Sequence, residues 1–85
     1  MIKVTFIIPC YNEIRTIEKI INKIINLKNI RKEIIVVDDF SSDGSKDIIK
    51  KYEKKKLLKA IYNKKNYGKG YCIISAKKKI TGDIV

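Results

Sequence analysis

Two kinds of apolar patterning alternate along the chain. Val4–Pro9 is a continuous run of β-branched and aromatic residues ended by proline, the mark of a strand buried on both faces of a parallel sheet. Ile14, Ile17, Ile20, Ile21, Ile24 and Ile25 then recur at helical spacing, with Glu18, Lys19, Asn22 and Lys23 opposite them. That spacing predicts an amphipathic helix. Asn12 and Thr16 are its candidate caps, and Glu13 or Glu18 suits the positive end of its dipole. Glu33–Asp38 is a second continuous strand, and the Ser41-Ser42-Asp43-Gly44 turn after it opens a helix with Ile48, Ile49 and Tyr52 on one face. Leu58–Tyr62 is a third, weaker strand and Asn63–Gly70 a polar loop. Tyr71–Ile80 reads as a third helix with Ile73, Ala76 and Ile80 inward, and Ile84-Val85 as the start of a fourth strand.

Strand and helix thus alternate, which predicts an α/β fold: a mostly parallel three-stranded sheet with the start of a fourth strand and helices on both faces. Ligands of such sheets bind outside the carboxyl ends of the strands, which singles out the loops after the three strands. The first strand is expected to be central. With a fourth strand only two residues long, its far edge would lie open, and open Val/Ile edges invite aggregation.

Composition changes the picture only at its margins. A length of 85 residues leaves room for one small domain. A net charge of +11 raises nucleic acid or an acidic surface as partners. The lysines are spread over helix faces and loops with no Arg–aromatic interleaving, however, so no nucleic-acid partner is expected. The chain has no His, and Cys10 and Cys72 form no C-x-x-C pair, which excludes the usual zinc spacings. Two unpaired thiols and no leader segment fit a cytoplasmic setting. No apolar stretch is long enough to cross a bilayer.

Each loop has a candidate chemistry. Pro9 lacks an N–H and is expected to stop the first strand and turn the chain outward. Tyr11 then offers an aromatic face, and Glu13 an acceptor for base or ribose donors; an ordinary strand–helix corner explains the same residues equally well. After the second strand, Asp38 and Asp39 are adjacent carboxylates on opposite faces. One suits a structural role against a loop backbone. The other suits the cleft, where it can accept an N–H of uracil or guanine. In Asn66-Tyr67-Gly68-Lys69-Gly70, two glycines around a lysine open a helix and can bring N–H groups and a cation to a diphosphate. A solvated lysine loop is the plain alternative. The spacing is neither a Walker A motif nor a dinucleotide fingerprint.

Taken in series, Ile7–Glu13 (I-I-P-C-Y-N-E), Glu33–Ser45 (E-I-I-V-V-D-D-F-S-S-D-G-S), Asn66–Gly70 (N-Y-G-K-G) and Thr81–Val85 (T-G-D-I-V) resemble family 2 glycosyltransferases of the GT-A fold. Within them they resemble the polyprenyl-phosphate, dolichyl-phosphate mannose synthase-like branch. The likeness covers essentially the whole chain. It implies a Rossmann-like nucleotide-binding half, with residues 1–85 as one partial donor-binding domain. It implies that Pro9, Tyr11 and Glu13 contact the nucleoside of a nucleotide-diphosphate sugar, that Asp39 meets the base and that Val37 lines the same pocket. Asp38 would support the loop from the other face. Lys69, between Gly68 and Gly70, would stand near the diphosphate. Phe40 occupies a position where the family more often has Gly, and Tyr71 and Cys72 replace small residues.

The resemblance further implies inverting chemistry with a divalent cation, Mg or Mn. The family's Asp-x-Asp motif follows the strand that begins at Ile84, so the metal ligands, acceptor site and catalytic base are expected outside this chain. By itself the chain is expected to bind nucleotide weakly and transfer nothing. A polyprenyl phosphate is one implied acceptor, and the cytoplasmic face of a membrane one implied location for a longer parent. Two alternatives stand beside this. A receiver-like binding module would place an acidic residue after the first strand too, where this chain has Pro-Cys-Tyr-Asn-Glu. A basic nucleic-acid binder would show salt-sensitive affinity.

Overall fold

A computed structural model describes residues 3–80 of the chain. Six elements follow one another: β1 (Lys3–Cys10), α1 (Ile17–Ile25), β2 (Arg31–Asp38), α2 (Ser45–Lys54), β3 (Lys59–Tyr62) and α3 (Lys69–Lys77). The strands form one parallel sheet in the order β1-β2-β3. The fourth strand expected at Ile84-Val85 lies outside the described residues. Among those described, β2 is the middle strand.

The apolar run of β2 determines the layering. Ile34 and Val36 point to one face and Ile35 and Val37 to the other, and all four are buried. On the first face they pack with Cys10 of β1, Ile17 and Ile21 of α1, Ile49 and Tyr52 of α2, and Leu58 and Ala60. On the second they meet Cys72 and Ala76 of α3, with Ile7, Ile61 and Ile80 against them. Burying one such Val or Ile side chain stabilises the fold by roughly 1.5–3 kcal/mol, so this strand anchors both layers.

The elements differ from the sequence pattern at their ends. Pro9, expected to end the first strand, lies inside β1, which runs on to Cys10. The Cys10 carbonyl accepts the Asp39 N–H at 2.8 Å, so Cys10 faces β2 and its neighbour Pro9 turns its missing N–H to the other side, where a strand tolerates proline. Helix α1 begins at Ile17, three residues later than Ile14, because the Glu13 carbonyl accepts the N–H groups of Thr16 (3.0 Å) and Ile17 (2.8 Å) in a preceding turn. Of the expected apolar stripe, Ile14 and Ile20 are exposed. Helix α3 starts at Lys69, two residues earlier than expected. Its buried positions are Cys72 and Ala76, with Ile73 and Ile80 only partly covered.

Candidate donor-binding cleft

The loops that follow the three strands converge at the carboxyl edge of the sheet, and side-chain hydrogen bonds lace them together. Asn12 adopts a left-handed φ of 52°, a conformation its short polar side chain tolerates. Its N–H donates to Ser41 Oγ (2.9 Å) and its Oδ1 accepts the Ser42 N–H (2.7 Å). Rather than capping α1, Asn12 thus joins the first loop to the second. Ile14 N–H donates to Asp43 Oδ2 (3.0 Å). The hydroxyl of Ser45, fully buried, accepts the Glu13 N–H (3.0 Å) and donates to Asp43 Oδ1 (2.7 Å).

The second loop holds the third through Asp39. Its Oδ1 accepts from Asn63 Nδ2 and the Tyr67 N–H, both at 2.9 Å, and its Oδ2 accepts the Gly68 N–H at 2.8 Å. Burial opposes ionisation of this carboxyl. The three donors outweigh burial, and the carboxyl is held below its usual range. Asp38, on the opposite face, accepts the Ser41 N–H through Oδ2 at 3.2 Å, while its buried Oδ1 has no partner among the described residues. Both carboxylates therefore support loops. Only Asp39 also reaches the cleft.

That cleft has a volume of about 460 Å³ and is lined by Pro9, Cys10, Tyr11, Glu13, Asp39, Asn66, Gly68, Lys69 and Cys72. Of the residues singled out in the sequence, it brings together Pro9, Tyr11, Glu13, Asp39, Gly68 and Lys69. Three others lie elsewhere. Val37 is fully buried in the core beneath α3 rather than in the pocket wall, because its place on β2 directs it into that layer. Asp38 sits on the far face, and Gly70 lies in the first turn of α3, where an added β-carbon would meet no other part of the fold. Tyr11 is half exposed and free to present its ring. Glu13 is exposed, with Oε2 accepting the Thr16 hydroxyl at 3.1 Å.

The sequence assigned no role to Asn63, Asn66 or the two thiols. Asn63 follows Tyr62, which pairs with Asp38, so it stands beside Asp39; that proximity exists only once the register is known. Burial raises the Cys72 thiol to about 11, with the Asp39 charge adding to it. Burial raises Cys10 as well. Both are therefore neutral wall atoms rather than nucleophiles. Among the described residues no group of three His, Cys, Asp or Glu is placed to hold a metal ion.

Residues 5–85 match the family model described as glycosyl transferase family 2. A poly-beta-1,6-N-acetyl-D-glucosamine synthase from Staphylococcus aureus is 33% identical over 82 residues, 96% of this chain and 20% of that protein. A mannosyltransferase from Pyrobaculum calidifontis, solved with GDP-Man and Mn2+, superposes with a TM-score of 0.84 at 28% identity, over 94% of this chain and 25% of that one. S. aureus TarS solved with UDP-GlcNAc gives a TM-score of 0.81 at 31% identity, over 95% of this chain and 24% of that one. The chain thus spans about a fifth to a quarter of the length of these relatives.

Proposed function

The chain belongs to glycosyl transferase family 2, and on that premise we propose that its cleft binds the nucleoside diphosphate of a sugar donor. The observation that carries the proposal is the cleft itself: Tyr11, Glu13, Asp39 and Lys69 meet outside the carboxyl ends of parallel strands, where α/β sheets take their ligands. Charge divides the cleft. Asp39, held ionised by its loop, repels a diphosphate and suits the N–H groups of a base. Lys69 beside Gly68 offers the cation a diphosphate needs. Tyr11 supplies a ring face for the base, and Glu13 an acceptor for base or ribose.

The two solved relatives were captured with GDP-Man and with UDP-GlcNAc, so both bases are to be tested. Sugar transfer, a polyprenyl phosphate acceptor and a divalent cation extend the proposal to a chain of the relatives' length. The described residues do not provide a cation site, and the binding proposed for this chain uses its own side chains alone.

Calorimetric titration with UDP, GDP and the matching nucleosides tests the reading. One diphosphate is expected to bind more tightly than its nucleoside. Lys69→Ala should remove most of that difference, while Tyr11→Ala should weaken nucleoside and diphosphate alike, each by on the order of tenfold. Equal binding of all four ligands, or no effect of either substitution, refutes it.

A further inference from the structure

The acidic residues are unevenly placed: none lies between Glu53 and Asp83, while lysines recur through that whole stretch. In the fold the stretch supplies β3, the third loop and α3. Lysines therefore predominate in these elements, and the carboxylates that reach them, Glu33 at Lys59 and Asp39 at the third loop, belong to the chain of β2 and its following loop. Lys65, Lys77 and Lys78 make no ion pair with any described residue.

The same side exposes apolar surface in an ordered row. With Cys72 and Ala76 turned into the core, Tyr67, Tyr71 and Ile74 fall on the outer side of α3 and the loop leading into it, at 43%, 46% and 62% exposure. The two tyrosine rings stack with centroids 4.1 Å apart, and Lys65 Nζ stands 5.1 Å from the Tyr67 centroid. Rings with polar tips and long lysine stems suit the boundary between headgroups and acyl chains. An exposed apolar row with no cover among the described residues calls for a partner.

Charge and chemistry select which partner. A second copy would bring the same cationic face against this one, and like charges oppose that contact. A nucleic acid would stack its bases on free ring faces, and the Tyr67 and Tyr71 rings here face each other. Both arginines, Arg15 and Arg31, lie outside the stretch. Ile74, the most exposed of the three, has no ring to stack. We propose that the outer face of α3 docks on an anionic lipid bilayer, with Tyr71 and Ile74 inserted among the headgroups and Lys65, Lys77 and Lys78 paired with lipid phosphates. Docking there would set the cleft, whose wall includes Gly68 and Lys69 at the start of α3, close to the lipid surface. The inference is independent of the nucleotide reading, since neither Tyr71 nor Ile74 lines the cleft.

The chain contains no Trp, so a Tyr71→Trp substitution gives a single fluorescent probe on this face. An Ile20→Trp substitution places a control on α1, across the sheet. With phosphatidylcholine vesicles containing phosphatidylglycerol, the emission of the Tyr71→Trp chain should shift to the blue and the chain should cosediment. The Ile20→Trp control should not shift, and pure phosphatidylcholine should bind neither. Added salt should weaken binding. Ile74→Ser and the pair Lys77→Glu, Lys78→Glu should each weaken it on the order of tenfold, with circular dichroism showing the helices retained. The proposal is overturned if the shift appears at position 20 and not at 71. It also fails if the substitutions leave vesicle binding unchanged, if RNA competes with the vesicles by binding this face, or if the chain self-associates through it instead.

Discussion

Buried at the end of β2, Asp39 receives three N–H groups from the chain after β3 and also forms part of the cleft wall. A carboxylate is the one short side chain able to accept from all three while bearing no donor of its own. Asp39→Asn turns one acceptor into a donor facing an N–H. The expected cost is about 2 kcal/mol in urea unfolding, together with loss of nucleotide binding. The pH dependence has a definite sign. Because the folded carboxyl lies below its ordinary range, its stabilisation is complete above the unfolded pKa and is lost as pH falls through the folded value. As pH falls from mildly acid values to below the ordinary carboxyl range, unfolding midpoints should therefore fall more steeply for the parent chain than for Asp39→Asn. Phe40, next along, has a φ of 69° and an exposed ring. Its backbone takes the left-handed conformation that glycine favours, so a glycine here would relieve strain with little burial lost. Phe40→Gly should stabilise the fold by roughly 1 kcal/mol, whereas Phe40→Ala, which keeps the strain, should not.

At the scale of elements, the site depends on how strands and helices are joined. Ser45 opens α2 and is fully buried, linking Glu13 before α1 to Asp43 before α2. Ser45→Ala leaves the Glu13 N–H without its acceptor and removes one of the three donors to Asp43, the N–H groups of Ile14 and Ser45 remaining. We expect a loss of about 1–2 kcal/mol in urea unfolding and weaker nucleotide binding, because Tyr11 and Glu13 belong to the loop that Ser45 holds. The order of elements was legible in the sequence, because continuous Ile/Val runs and helical spacing each have one physical reading. Their ends were less so. Pro9 stays within β1 because of which side its missing N–H faces, and α1 begins late because the Glu13 carbonyl closes a turn first. Both outcomes depend on a partner distant in sequence or on the direction of a backbone group, and neither is written in local composition.

Over the whole molecule, two layers cover the sheet through alternate residues of one strand. That alternation explains where the residues singled out at the end of β2 fall. Asp38 and Asp39 had to face opposite ways, and they do. By the same parity Val37 faces α3's layer with Asp39, but one pleat further from the strand end it is sealed in the core. The sequence by itself determined the α/β alternation, the buried central run Ile34–Val37, the three loops at the carboxyl edge and the presence there of Pro9, Tyr11, Glu13 and Lys69. These follow from periodicity, turn chemistry and the parallel-sheet rule. Only the tertiary structure decided that Asp39 fastens the third loop as well as lining the cleft, that Asn63 stands beside it, that Cys10 and Cys72 form part of the wall, and that α3 turns Tyr67, Tyr71 and Ile74 outward. Each of these rests on strand register or on the choice of the helix's buried face, which packing settles between residues far apart in the chain.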